Sequence, residues 1–178
     1  MNILPFLMSQ QKSILAKWFD AILADYPSET ALFLKNNSDP FNNPVGYTFR
    51  QGIEALWTQL VQSQISEEML KAALEPLIKI RAVQDFPPGR AVGFLLYLKR
   101  PVRELLAETH RETIRWQELA EFEERIDLAT LLAFEVYSNC REQLYAIRIK
   151  ELKNSIPKIY QDAVLRQCDG YQAEGSEG

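Results

Sequence analysis

The chain has 178 residues, of which 47% are hydrophobic and 25% are charged, a composition that supports a folded domain with a core and excludes a disordered chain. The net charge of -4 and the pI near 5.2 exclude the basic field on which nucleic-acid binding depends. Because the 7 glycines and 9 prolines are too few for the turns of a barrel or sandwich, we predict an all-α helical bundle. We expect a single domain over residues 1–169 and a disordered polar tail over 170–178.

The apolar segments and the cysteines indicate a cytoplasmic protein without membrane insertion. The longest apolar run, Ala91 to Leu98, is far shorter than the roughly 20 residues of a transmembrane helix. The apolar start of the chain has no basic flank and no clear cleavage site, so we expect it to pack on the core rather than act as a signal peptide. Cys140 and Cys168 are far apart and form no CxxC motif.

Capping residues divide the first part of the chain into helices. Ser9 is predicted to cap a helix that ends at about Asp25, and a short helix should follow from Ser28 to about Lys35. After a loop, the Asn43-Pro44 pair indicates a helix start, because an Asn cap precedes proline at the first helical position. This helix should reach Val61.

The middle of the chain contains two further helical segments. Ser66 is predicted to cap a helix in which Pro76 either causes a kink or begins a second helix that ends at Asp85. A break at Phe86 to Gly89 separates it from a buried central helix, predicted from Arg90 to about Thr109 because its first half is apolar nearly all round. A strand is the alternative interpretation, which the helical pattern farther along disfavours.

Leu119 to Lys150 is the most regular segment, with apolar residues at alternating steps of three and four. One helix over this segment would be about 48 Å long, longer than a compact domain of this size needs. We therefore predict that part of it meets a second chain. The predicted dimer seam consists of Phe122, Ile126, Ala129, Ala133, Val136 and Cys140. A short amphipathic helix from Ser155 to about Gln167 should follow.

Few side chains are suited to catalysis or ligation. His110 is the single histidine and lies among charged residues, so we assign it to the solvated surface. Cys140 fits a buried thiol on the seam, and no histidine lies in an apolar helix that could bind haem. The Glu-rich run around Glu121 lacks the Glu-x-x-His pairs of a di-metal bundle. We predict no metal, no cofactor and no enzymatic activity.

The segment from Lys79 to Phe86 has two interpretations. Arg81 and Asp85 lie one helical turn apart, with Gln84 between them and apolar residues around them. They could form an exposed ion pair worth under about 1 kcal/mol. They could instead form a polar network at the mouth of a ligand pocket or at a dimer contact. Spacing alone leaves both interpretations open.

Four motifs, in this order, resemble one known family. They are Asp39-Pro40-Phe41-Asn42-Asn43-Pro44-Val45-Gly46, then Arg50-Gln51-Gly52, then Ile80-Arg81-Ala82-Val83-Gln84-Asp85-Phe86, and then Ala91-Val92-Gly93-Phe94 with Leu98-Lys99. Together they resemble the N-terminal domain of RsbRD-type RsbT co-antagonist proteins, over roughly Ile14 to Arg148. The resemblance implies a stress-signalling sensor with a haem-free, globin-like helical fold, which dimerises and passes a signal along a C-terminal helix.

The resemblance also implies a site and partners. Arg50 joins Arg81, Gln84 and Asp85 in a predicted ligand or signalling network. Full co-antagonists carry a STAS domain, whereas this chain ends at Gly178 without one. We therefore expect a stand-alone regulator whose partner is a STAS-domain protein, a kinase or a redox-complex protein.

These observations bear on three classes of function. The leading hypothesis is a homodimeric, non-enzymatic sensor or adaptor. The alternative is a small-molecule carrier or gas sensor with an apolar cavity among Phe49, Trp57, Phe94 and Tyr97, although most such aromatic side chains belong to a core. An enzyme is disfavoured, because no nucleophile-base pair, metal cluster or phosphate loop is visible.

Overall fold

The computed structural model describes residues 3–37, 39–109, 116–155 and 160, which form helices and contain no strand. The predicted all-α class with a long C-terminal helix is confirmed. The helices are α1 (Ile3–Ser9), α2 (Gln11–Leu23), α3 (Ser28–Asn36), α4 (Pro44–Leu60), α5 (Glu67–Val83), α6 (Pro88–Gly93), α7 (Lys99–Thr109) and α8 (Trp116–Ser155), with a 3-10 turn at Leu96–Leu98. The predictions for His110, for most of the 155–167 helix and for the 170–178 tail lie outside the described residues.

The chain divides into two compact units, Met1–Cys140 and Arg141–Gly178. The first contains α1 to α7 and the part of α8 that ends at Cys140. In the second, the described part of α8 is largely exposed and includes the exposed apolar residues Tyr145, Ile147, Ile149 and Leu152. No described helix is both long enough and apolar enough to cross a membrane. The single domain over 1–169 and the globin-like arrangement stay predictions.

Two predicted helix starts are confirmed at the level of single hydrogen bonds. The Asn43 Oδ1 atom accepts from the Gly46 N–H at 2.9 Å, and Pro44 occupies the first turn of α4. Ser66 Oγ accepts from the Met69 N–H at 3.3 Å at the start of α5. In both cases a side-chain oxygen satisfies an amide that has no partner within the helix.

The predicted cap at Ser9 is wrong. The Ser9 hydroxyl donates to the Phe6 carbonyl oxygen at 2.7 Å within α1, and α2 begins at Gln11, after Gln10. The apolar start of the chain forms a helix of its own because it can bury Leu7 completely. The expectation that this segment packs on the core is therefore confirmed.

The predicted continuous helix from Arg90 to Thr109 is also wrong, since it is interrupted between α6 and α7. The Leu98 N–H bonds to the Leu95 carbonyl at 3.2 Å, which leaves the Phe94 carbonyl outside the helical ladder. The buried Trp18 Nε1–H donates to that Phe94 oxygen at 2.8 Å. Pro101 then falls in the first turn of α7, where its missing N–H costs no intrahelical bond. Pro76, in contrast, lies inside one helix, α5.

Candidate functional site

Arg81 is a fully buried cation in the last turn of α5. Its Nη1 atom donates to Asp25 Oδ2 at 2.8 Å and to the Arg90 carbonyl oxygen at 2.7 Å. The side chain of Asp25 is also 93% buried, since only 7% of its surface is exposed. This pair therefore ties the segment after α2 to α5 and α6 in a place from which water is largely excluded.

Four aromatic rings surround the Arg81 guanidinium. Its central carbon lies 4.7 Å from the ring centre of Phe94, 4.8 Å from Phe86, 5.5 Å from Phe49 and 5.9 Å from Tyr26. Ring faces attract a cation through their quadrupole, and the attraction is larger where water is excluded. The four rings therefore stabilise the positive charge of Arg81 in addition to the carboxylate of Asp25.

The hydrogen-bonding capacity of Arg81 is only partly used. Within the part of the chain that the structure describes, its Nε and Nη2 atoms are buried and have no hydrogen-bond acceptor. Buried donors usually have one, because leaving a donor unpaired costs about 1–3 kcal/mol. Arg81 is therefore held in an arrangement that balances its charge but leaves some of its donors unmatched.

Asp25 connects this buried charge to the surface. Its Oδ1 atom accepts from the Tyr97 hydroxyl at 2.9 Å. Asp25 and Tyr97 both line a surface cleft of about 690 Å³ between α2 and the start of α7. Burial, followed by the hydrogen bond to Asp25, raises the pKa of Tyr97. A molecule in the cleft would therefore contact the direct partner of Arg81.

The turn after α5 places the remaining polar groups of the site. The Phe86 N–H bonds to the Arg81 carbonyl at 3.1 Å and the Asp85 N–H to the Ala82 carbonyl at 3.3 Å, the two bonds of a Schellman motif. Asp85 has a φ of 56°, a left-handed conformation that aspartate tolerates better than most residues. Gln84 Oε1 accepts from the Tyr26 hydroxyl at 2.9 Å.

Tyr26 lies between the polar and the aromatic parts of the site. Burial raises the pKa of its hydroxyl, the positive charge of Arg81 opposes that rise, and the charge of Asp25 adds to it. We call Arg81, Asp25, Tyr97, Tyr26 and Gln84 the Arg81 cluster.

The turn also contacts α8. The Tyr137 hydroxyl donates to the Phe86 carbonyl oxygen at 2.6 Å. Since the Phe86 ring packs on the Arg81 guanidinium, one residue contacts both the buried charge and the long helix.

Of the four residues predicted to form a network, the structure brings three together. Arg81, Gln84 and Asp85 lie at the same helix end, although the ion pair of Arg81 is with Asp25 and not with the predicted neighbour. Arg50 lies elsewhere: its Nη2 atom donates to the Leu34 carbonyl at 2.8 Å and to the Lys35 carbonyl at 2.6 Å, at the C-terminal end of α3.

Sequence reasoning missed Asp25, Tyr26, Tyr97 and Tyr137. The sequence predicts Asp25 only as the end of a helix, and Tyr97 only as one of the aromatic residues around the apolar cavity of the carrier hypothesis. The signal available was a carboxylate and a phenol at the end of an apolar helix, which indicates a polar partner without identifying it.

Four of the six positions of the predicted dimer seam pack inside the chain itself, and the seam as a dimer contact stays a prediction. Phe122, Ile126, Ala129 and Ala133 are buried within this chain, and the Phe122 ring lies 6.0 Å from that of Trp57. Their heptad spacing marks a packing face, but spacing does not say whether that face meets the same chain or another one. Val136 and Cys140 are half-buried, and burial raises the pKa of the Cys140 thiol.

The aromatic residues of the carrier hypothesis do not share one location. Phe49, Trp57 and Phe94 are fully buried, and the rings of Phe49 and Phe94 meet edge to face at 6.3 Å. Tyr97 instead lines the surface cleft. The described residues therefore direct a search for a bound molecule to the cleft rather than to the core.

One family of known proteins matches most of the chain. The family model described as RsbT co-antagonist protein rsbRD N-terminal domain matches residues 12–152, a range that includes every residue of the Arg81 cluster and Tyr137. No curated protein and no solved structure matched the chain.

Proposed function

Because the chain belongs to the family of RsbT co-antagonist protein rsbRD N-terminal domains, we propose that it is a non-enzymatic sensor or adaptor in which the Arg81 cluster controls contacts made by α8. Family membership supports a regulatory or sensor role related to the stressosome. The observation that carries the finer proposal is the buried Arg81, with two unmatched donors beside the residue that bonds to α8.

A sensor needs two arrangements of similar energy. The charge of Arg81 is well balanced, but its unmatched Nε and Nη2 donors raise the free energy of this arrangement. A rearrangement that gave them acceptors would recover part of that free energy. The cluster is therefore suited to a change that a modest signal can drive.

The signal would enter at the cleft lined by Asp25 and Tyr97. A ligand that competed for either group would weaken the contact between Asp25 and Arg81. The displacement of Arg81 would move the Phe86 ring, and with it the carbonyl to which Tyr137 donates. These steps connect an accessible surface with α8 through direct contacts.

Hydrogen exchange can test this coupling. In the Asp25→Asn variant, we expect amide exchange in α8 to accelerate more around Tyr137 than around the buried Phe122 of the same helix, because overall destabilisation would accelerate both regions alike. Tyr97→Phe should produce a smaller change of the same kind. It removes only one hydrogen bond, so it provides the test if Asp25→Asn does not fold. Glu68→Gln is the matched control, because Glu68 is an exposed carboxylate in the first turn of α5 and does not line the cleft. Exchange changes confined to α2, α5 and α6 would contradict the coupling.

Protein partners form the second part of the proposal. We propose a STAS-domain protein, a kinase or a redox-complex protein as the partner, in the cytoplasm and without nucleic acid or membrane insertion. Purification of the tagged chain from its native cells should recover such a protein, in an amount that changes with Asp25→Asn and not with Glu68→Gln. Recovery of none of these classes, or equal recovery with both variants, would count against an adaptor role.

We further propose that the domain forms a homodimer through α8. The buried seam positions make an outer face the better candidate, and Leu131 and Phe134 are exposed three positions apart on it. Phe134→Asp should therefore give a monomer by light scattering. Met69→Asp changes an equally exposed apolar residue on α5 and should leave the mass unchanged. An unchanged mass in Phe134→Asp would rule out this contact.

A small-molecule carrier is the second candidate, and the cleft of about 690 Å³ favours it. Its volume lies within the range of about 300–1,000 Å³ usual for ligand sites. Native mass spectrometry should then detect a bound mass that Tyr97→Ala reduces, and an absorption spectrum would reveal haem or flavin. A single unliganded mass with a featureless spectrum would exclude a carrier that retains its ligand through purification.

A further inference from the structure

Phe41 projects from the connection between α3 and α4, with 93% of its surface exposed. Side chains hold its surroundings in place: Asp39 Oδ1 accepts from the Phe41 N–H at 2.9 Å, and the buried Asn43 donates to the Leu34 and Asn37 carbonyl oxygens. The backbone at Phe41 is thus ordered before binding, so that association has to restrict only the two side-chain torsions of the exposed ring. Phe41 is therefore suited to anchor a protein contact.

The surface next to Phe41 is apolar and acidic. Glu29, Leu32 and Phe33 are exposed at helical spacing on one face of α3, and Leu32, Phe33 and Asp39 border the same shallow depression. The two carboxylates, Glu29 and Asp39, give this surface a negative charge. A complementary surface would be concave, apolar and edged by cations.

A groove on the same molecule has these properties. It lies between α2 and α4, has a volume of about 640 Å³, and its apolar lining includes Leu15, Ala16, Phe19 and Ile53. Three cations, Lys12, Lys35 and Arg50, and two carboxylates, Asp20 and Glu54, also line it, which gives one net positive charge. Lys35 is paired with Asp20, whereas Lys12 has no ion-pair partner among the described residues. We call it the α2–α4 groove.

We propose that Phe41 of one copy of this chain inserts into the α2–α4 groove of a second copy. The groove is ample for a phenyl ring, and Lys12 at its edge would attract Glu29 and Asp39. The contact joins two different surfaces, so it is head-to-tail and can repeat along a row of copies. This inference goes beyond the proposed sensor function, because it uses neither the Arg81 cluster nor Phe134.

Two variants that complement each other test the contact. Phe41→Ala removes the anchor and leaves the groove intact, whereas Ala16→Trp fills the groove and leaves the anchor intact. Both full-length variants also carry Phe134→Asp, so that any contact between α8 helices does not contribute. We expect each variant alone to associate at least about tenfold more weakly than the chain with Phe134→Asp only, by sedimentation velocity. An equimolar mixture should recover one contact, since it still contains one intact anchor and one intact groove.

The controls distinguish this contact from nonspecific apolar association and from misfolding of a variant. Met69→Ala removes an exposed apolar side chain on α5 and should leave association unchanged. Lys12→Glu reverses a charge at the groove and should also weaken association. It replaces Ala16→Trp as the groove variant if Ala16→Trp does not fold. No concentration-dependent association of the Phe134→Asp chain, association equal in all variants, or a mixture that recovers nothing would each overturn the proposal.

Discussion

The hydroxyl of Tyr137 donates to the carbonyl oxygen of Phe86 at 2.6 Å, which joins the middle of α8 to the turn that ends α5. Tyr137 is buried, and the ring of Phe86 rests 4.8 Å from the Arg81 guanidinium carbon. Phe86 thus contacts the buried charge of Arg81 through its ring and α8 through its carbonyl oxygen. The proposed coupling between the Arg81 cluster and α8 runs through this position.

Replacing Tyr137 with Phe should test that bond directly. The change removes only the hydroxyl, so it leaves the Phe86 carbonyl without its donor and should lower the free energy of unfolding by about 1–3 kcal/mol. Urea unfolding measures this loss. Tyr145→Phe is the control, because the exposed Tyr145 hydroxyl bonds only to Arg141 in the described chain, and a change within about 0.5 kcal/mol is expected. Equal losses in the two variants would contradict a special role for Tyr137.

Asp25→Asn should be much more destabilising than Asp20→Asn. The first leaves the charge of the fully buried Arg81 without its carboxylate, which typically costs about 3–5 kcal/mol. The second affects a pair with Lys35 in which about half of each side chain is exposed, so the expected loss is under about 1 kcal/mol. Thermal and urea unfolding of both variants give the comparison. Similar losses would mean that the buried pair contributes little to stability.

Gly52→Ala should destabilise the contact between α4 and α5. An added Cβ would lie 2.5 Å from Cδ2 of the fully buried Leu77, and such overpacking costs about 1–3 kcal/mol. Gly93→Ala is the matched change, because nothing lies within 4 Å of its added Cβ. The midpoint of thermal unfolding should fall for the first variant and stay constant or rise slightly for the second. A rise for Gly52→Ala would show that Leu77 moves aside without cost.

High pH should weaken the domain through two tyrosines. The pKa values of Tyr26 and Tyr97 are raised above 10.0, chiefly by burial. The folded chain therefore keeps these protons at a pH at which the unfolded chain loses them. Their contribution to stability is complete below about pH 10 and decreases as the pH rises above it.

Urea unfolding between about pH 9 and 11 measures this effect. Combining Tyr26→Phe with Tyr97→Phe should flatten the pH dependence, whereas Tyr47→Phe, at an exposed position, should retain the wild-type slope. The same slope in the double variant would assign the effect to other groups.

The sequence by itself determined the features that depend on a few neighbouring residues. Asn43 and Ser66 mark helix starts, because each supplies an oxygen to an amide three positions along. The heptad spacing of α8 likewise identified its packing face, since residues three and four apart lie on the same side of a helix. The four motifs also identified the family.

Only the tertiary structure decided the partners of these features. Arg81 pairs with Asp25, 56 residues earlier, and not with a neighbour one turn away. The packing of the helices likewise buries Ile126 and leaves Phe134 exposed on the same helix. At the break before α7, the Phe94 carbonyl oxygen accepts a hydrogen bond from the side chain of Trp18. Caps and periodicity act over one or two turns, whereas the partner of a buried charge and the choice of a buried face depend on which helices pack together.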